Sequence, residues 1–131
     1  MGFLFSINRF GDYRATAAAV ATNDDEVASL KQLDRLGWST QFQTVLACDS
    51  GFGAKPAGGM LLEAARRLGV EPQRCAMVGD AASDLEAAKA AGYGAAILVG
   101  PPEVVGHHAK LADYWVHDLS GLLRPSKNAV V

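Results

Sequence analysis

The sequence has little of anything that would mark an exported, membrane-inserted or polyanion-binding chain. Its 131 residues hold only two cysteines, Cys48 and Cys75. They are too far apart for a metal-ligand spacing and too few for a disulfide framework. Both are expected to be buried small hydrophobes in a reducing, cytoplasmic setting. No apolar run approaches the roughly 18 residues needed to cross a bilayer. The opening Met1-Gly2-Phe3-Leu4-Phe5 has no basic start and is interrupted by Asn8 and Arg9, so neither insertion nor export by a standard signal is expected. Met1, Gly2 and Ser6 match the loose myristoylation pattern, which chance often satisfies, and an ordinary start is the reading taken. Lys and Arg number 12 against 14 Asp and Glu, a net charge of -2. No basic patch or arm is available, so nucleic acid and anionic membranes drop out as partners.

Half of the residues are hydrophobic, and a chain of this length buries roughly two-thirds of its unfolded surface, so a core needs no disulfide or structural metal. From residue 17 short apolar runs alternate with amphipathic segments, the pattern of strand-helix units on a parallel sheet. Ala17–Ala21 is the first run. The segment after it starts with Asp24, Asp25 and Glu26, places Val27, Leu30, Leu33 and Leu36 on one side, and stops at Gly37. Val45–Cys48 is the second run, followed by the glycine-rich loop 49–56. A helix over about 58–68 should turn Leu61, Leu62, Ala65 and Leu68 inward and Glu63, Arg66 and Arg67 outward. Cys75–Val78 runs into Gly79-Asp80, and a helix opening near Asp84 carries Leu85, Ala88 and Ala91. Ala95–Val99 is a buried strand ended by Gly100-Pro101-Pro102. A weaker helix over 103–110 leads to a short last strand, Tyr114–Val116. The expected organisation is an atypical segment 1–16, a core over 17–123 and a frayed tail over 124–131.

In an open parallel sheet, ligands bind beyond the carboxyl ends of the strands. Thr22-Asn23, Lys55-Pro56 and Asp80 with Asp84 all follow apolar runs. A hydroxyl and free N–H groups at a helix start suit a phosphate oxygen, and a lysine adds charge. Two carboxylates four residues apart, one at a strand tip and one in the first helical turn, can converge on a hard cation such as Mg²⁺. Each feature alone has an ordinary structural reading as a strand end, a solvated lysine or a helix cap.

Their order resembles the haloacid-dehalogenase-like superfamily, in particular its phosphoglycolate-phosphatase-like members. Ala18-Ala19-Val20-Ala21-Thr22-Asn23 resembles motif II, Lys55-Pro56 motif III, and Met77-Val78-Gly79-Asp80 with Asp84 motif IV. The resemblance extends from Ala17 to Leu122. It implies an α/β fold, a three-layer Rossmann-like parallel sheet with helices on both faces. It also implies a Mg²⁺-dependent hydrolase of phosphate monoesters that works through an aspartyl-phosphate on a small phosphorylated metabolite. Thr22 and Lys55 would then be catalytic, Thr22, Asn23 and Lys55 would hold phosphate, and Asp80 and Asp84 would hold the metal.

The departures are as informative. Family members begin with an apolar strand ending in Asp-x-Asp-Gly-Thr, whose first Asp is the nucleophile, and residues 1–16 do not supply it. Asp12-Tyr13-Arg14-Ala15-Thr16 keeps the Asp and Thr spacing but has Arg14 at the acid/base position, no preceding apolar strand, and too short a run to Thr22 for a parallel crossover. The cap between motifs I and II is absent too. Gly58 stands where Lys-Pro-x-Pro is usual and Ala81 where Ser often follows Gly-Asp. A metal site short of one carboxylate should be weak, and loss of the nucleophile should cost on the order of 10⁴ to 10⁶ in rate. The family's first strand lies between those of motifs II and IV, so its absence would leave two facing edges unpaired. Two fillers are open: Gly2–Ile7 as a short strand, though barely linked to Ala17 for a parallel crossover, or another chain, with Phe3–Phe10 the helix before the motif II strand, as in a homodimer sharing strands.

The leading expectation is a phosphatase of this superfamily that lacks its amino-terminal part and is inactive alone. The alternative is a non-catalytic phosphate-binding or interaction module on the same scaffold. A phosphorelay receiver fits poorly, because its acceptor Asp needs a strand before Thr22 and it has no role for Asp80 with Asp84. His107-His108 reads as a solvated turn whose rings point apart, Trp38 and Trp115 as packing residues, and Gly51-Phe52-Gly53 as a mobile loop over the site rather than a nucleotide fingerprint.

Overall fold

The computed structural model describes residues 1–6 and 17–118, and the statements below concern these. The elements are β1 (Gly2–Ser6), β2 (Ala18–Ala21), α1 (Glu26–Leu36), β3 (Thr44–Leu46), α2 (Gly59–Leu68), β4 (Cys75–Gly79), α3 (Ala82–Ala90), β5 (Ala95–Val99), α4 (Pro102–Val105) and β6 (Tyr114–Val116). Short 3-10 turns over Pro72–Arg74 and Gly106–Leu111 complete them. All six strands form one sheet in the order β3-β2-β1-β4-β5-β6.

Five of the strands run parallel, as the alternation of apolar runs and helices requires: β2 pairs with β3, β4 with β5, and β5 with β6 in parallel. The sixth is the exception. β1 lies between β2 and β4 and is antiparallel to both, with Phe3 opposite Val20 on one side and Val78 on the other. The central slot is therefore filled by the chain's own first residues, as one of the expected fillers had it but without the parallel crossover, and the argument for a strand-sharing dimer falls away. Phe3–Ser6 is strand, not the start of a helix. The direction follows from chain length. A parallel return needs a crossover of a dozen or more residues, whereas an antiparallel return can turn tightly, and the segment 7–17 meets only the second condition. Ser6 N donates to Ala17 O (3.1 Å) where the two strands come together.

Side-chain alternation divides the core between the sheet's faces. Leu4, Ala19, Ala21, Met77, Ala96 and Leu98 meet Met60, Leu61 and Ala64 of α2 and Leu85, Ala87 and Ala88 of α3. Phe3 and Phe5 join Ala76, Val78, Ala95, Ile97 and Val116 on the other face, where Trp38 stands edge-on to Phe3 and Phe42 stacks on it. Right-handed crossovers account for this split. The chain steps outward from β2 to β3 through α1 and back past β1 to β4 through α2, so the two helices lie on opposite faces. Trp115 closes the far edge, its Nε1 donating to Gly100 O (3.0 Å).

Several inward positions differ from expectation. Residues spaced by three lag about 60° per step around a helix, so Val27 ends up 62% exposed while Leu33 and Ser29 are the buried residues of α1. In α2 the inward set is Met60, Leu61, Ala64 and Ala65, and Leu62 is 47% exposed. Cys75 is buried, as expected, and burial pushes its thiol up to about 11; Cys48 is exposed. The rings of His107 and His108 lie with centroids 3.8 Å apart, so they do not point apart as the alternation of neighbours suggests. Among the described residues no helix is long and apolar enough to cross a membrane. The tail over 124–131 and the Asp12–Thr16 stretch lie outside the described residues.

Candidate functional site at the carboxyl edge of the sheet

The strand tips of β2 and β4 and the loop after β3 deliver the residues singled out from the sequence to one place. Thr22 follows β2 and is buried; its N donates to Leu46 O (2.9 Å), and its Oγ1 accepts from Asp24 N (3.1 Å). A hydroxyl accepting in this way keeps its own proton to donate. Asn23 is spent differently. Its Oδ1 accepts from Lys55 N (2.8 Å) and its Nδ2 donates to Lys55 O (3.0 Å), so the side chain clamps the backbone of the Lys55 loop. The Asn23 side chain thus positions the Lys55 loop.

Lys55 enters the site across a cis bond to Pro56. Its ammonium donates to Ala21 O (2.9 Å) and to Asp84 Oδ1. The Lys55 and Asp84 side chains are 3% and 2% exposed, so this is a buried ion pair. Asp84 sits in the first turn of α3, and its Oδ2 accepts from Ala81 N (3.3 Å). Gly79, the last residue of β4, lets this carboxylate approach, since a Cβ there would collide with it. Asp80 is exposed.

β1 contributes its beginning to this edge, not its end. A Cβ on Gly2 would stand 2.9 Å from Asp84 Oδ1 and 3.3 Å from Ala21 O, so the strand meets the site with a residue that has no side chain. The other end of β1, Ser6, pairs opposite Cys75, at the far edge of the sheet. No carboxylate from the central strand therefore faces Lys55 among the described residues, and Asp84 is the counter-ion it meets. Asp24, Asp25 and Glu26, with Asp49 accepting from Glu26 N (3.0 Å), add further negative charge beside the strand tips.

Mg²⁺, the cation implied by the resemblance, does not fit this donor set as it stands. Both oxygens of Asp84 are engaged, and among the described residues no three acids, histidines or cysteines come together. The glycine-rich loop is also placed otherwise than expected. Phe52 lies against α2, with the Arg67 guanidinium 5.6 Å from its ring centroid. Gly58, unusual for the motif after Lys55-Pro56, has a packing reason: a Cβ there would stand 2.9 Å from Ala91 N, where α3 ends. The Lys55–Asp84 pairing and the clamp role of Asn23 were not foreseen. A polar residue opposite an expected loop was the only signal for the clamp.

Comparison with known proteins agrees with this arrangement of motifs. The family model for haloacid dehalogenase-like hydrolases matches residues 14–92. A phosphoglycolate phosphatase from Chromobacterium violaceum is 40% identical over 79 residues, 60% of this chain and 35% of that protein. One from Escherichia coli strain K12 is 36% identical over 84 residues, 56% of this chain and 33% of that protein. The chain thus spans about a third of the length of these curated relatives. Among solved structures, a putative beta-phosphoglucomutase from Thermotoga maritima superposes with a TM-score of 0.65 at 26% identity, covering 76% of this chain and 47% of that one. A haloacid dehalogenase-like protein from Agrobacterium tumefaciens, at 19% identity, shares the fold with a TM-score of 0.71 over 79% of this chain and 50% of that one. With motifs in order, a matching sheet and a family model covering more than half of its length, the chain belongs to the haloacid dehalogenase-like hydrolase family.

Proposed function

We propose that this chain carries the phosphate-holding half of a phosphomonoester hydrolase and does not turn substrate over by itself. One observation carries the reading. β1 is antiparallel, so the strand between Thr22 and Asp80 meets the site with Gly2 and supplies no carboxylate nucleophile. What remains is suited to holding an anion weakly. The Thr22 hydroxyl has a proton to give, and Lys55 has a third N–H beyond those given to Ala21 and Asp84. The ligand class is a small phosphorylated metabolite, for which phosphoglycolate is the candidate named by the curated relatives. Nucleic acid and membrane surfaces do not suit the acidic rim. Mg²⁺ at Asp80 and Asp84 would be weak, because Asp84 is already paired.

Covalent catalysis in this setting needs a carboxylate nucleophile, and deleting such a group costs on the order of 10⁴ to 10⁶ in rate. The test is hydrolysis of p-nitrophenyl phosphate and of phosphoglycolate, with Mg²⁺, by the chain and by a fusion carrying an upstream apolar strand that ends in Asp-x-Asp-Gly-Thr. No turnover by the chain and turnover by the fusion are the expected results. Turnover by the chain overturns the proposal. Inactivity of both favours the second reading, a non-catalytic binding module, which has its own support in a sheet whose central slot the chain fills for itself.

A further inference from the structure

We propose that Lys55 is the resident cation of Asp84, its ammonium occupying the place at this carboxylate that a divalent metal ion would otherwise take, so that the folded chain needs no metal there. A carboxylate as buried as Asp84 must have a positive partner or strong donors. Oδ2 receives one backbone N–H from Ala81, and Oδ1 receives the ammonium of Lys55. Three features hold Lys55 to this partner. The Asn23 clamp fixes the backbone from which the side chain springs. Ala21 O takes a second ammonium proton (2.9 Å) and ties the group to the tip of β2. Gly2 stands beside Asp84 with no side chain that could draw the lysine away. A metal ion binding at Asp84 would have to share the carboxylate with a buried ammonium, setting two cations side by side, or displace it and leave it against one carbonyl. Asp80 is exposed and adds only a solvated ligand. The two cations therefore compete for one carboxylate, and the internal one holds it. The inference does not depend on whether the site takes phosphate.

Thermal unfolding of the whole chain in EDTA and in MgCl₂ up to about 10 mM tests this, with Mn²⁺ uptake followed by electron paramagnetic resonance. For the wild type, a Tm change below about 1 °C is expected. Lys55→Met should melt lower in EDTA and recover about 5 °C or more in Mg²⁺, as the freed carboxylate takes the ion. Lys55→Met combined with Asp84→Asn should lose that response. A wild-type Tm that rises by about 5 °C in Mg²⁺, or a folded Lys55→Met that ignores it, overturns the proposal. Should Lys55→Met not fold, the wild-type Mn²⁺ titration decides alone. Mn²⁺ remaining free at about 1 mM supports the inference, and uptake of one ion that Asp84→Asn abolishes contradicts it.

Discussion

Removing either partner of the Lys55–Asp84 pair should be among the most damaging single changes in the chain. Both side chains are almost wholly buried, and among the described residues each loses its ion-pair partner when the other goes. Breaking such a pair costs about 3–5 kcal/mol, because the surviving charge stays buried without compensation. Against a total stability of about 5–15 kcal/mol for a domain, that is a large share. For a chain of this length, it lowers Tm by about 10–18 °C. Replacing both partners removes both charges, so Lys55→Met with Asp84→Asn should be more stable than the sum of the single losses implies, with a coupling of about 2 kcal/mol or more. Asn at 84 keeps an oxygen for Ala81 N. Urea unfolding in EDTA, with an unchanged m-value as the check on two-state behaviour, measures all four corners of the cycle. Single losses below about 1 kcal/mol, or strict additivity, would show that the pair is not the buried contact described.

Further outcomes are expected at three other residues. Gly2→Val should destabilise by about 1–3 kcal/mol in urea unfolding, because its Cβ would crowd Asp84 Oδ1 and Ala21 O; a neutral result would remove Gly2 from the centre of the sheet. Tyr93→Phe should cost about 1 kcal/mol by losing the bond from its hydroxyl to Leu61 O (2.6 Å). Burial pushes the Tyr93 phenol up, so one tyrosine should fail to develop phenolate absorbance near the usual pH of about 10. Glu63 is held down at about 2 by hydrogen bonds from Arg66 and then Arg67. Its support of α2 is therefore complete above its ordinary value of 4.5 and is lost as pH falls through about 2. Glu63→Gln should flatten the acid limb of a stability-pH profile over that window.

Much of this architecture is legible from residue pattern because it rests on local signals. Ala95–Val99 and Tyr114–Val116 appear at the expected bounds, one ended by Gly100-Pro101-Pro102 and the other following a weak helical stretch. Gly37 and Gly69 end α1 and α2 in the left-handed conformation that favours glycine. Thr22, Lys55 and Asp84 converge because each follows one of the five strands that run parallel. Strand direction is another matter. Gly2–Ser6 alternates Phe3 and Phe5 with Leu4, which marks two faces but carries no information on which way the strand runs. Only the short return to Ala18 bears on that. The Lys55–Asp84 pairing joins a loop and a helix start 29 residues apart and cannot be seen in either motif alone. The inward face of α2 departs from the hydrophobic pattern for a simpler reason: hydrophobicity favours Leu62 over Ala64, while close helix-sheet packing selects the small residue.

The antiparallel placement of β1 sets Gly2, which has no side chain, beside the Lys55–Asp84 pair, and cross-strand nuclear Overhauser contacts in the 131-residue chain test it most directly. Backbone contacts of Phe3 with Val20 and Val78, and of Phe5 with Ala18 and Ala76, are the expected result. Contacts running the other way, Phe3 with Ala18 and Phe5 with Val20, would contradict it and return the carboxyl end of the strand to the side of Lys55.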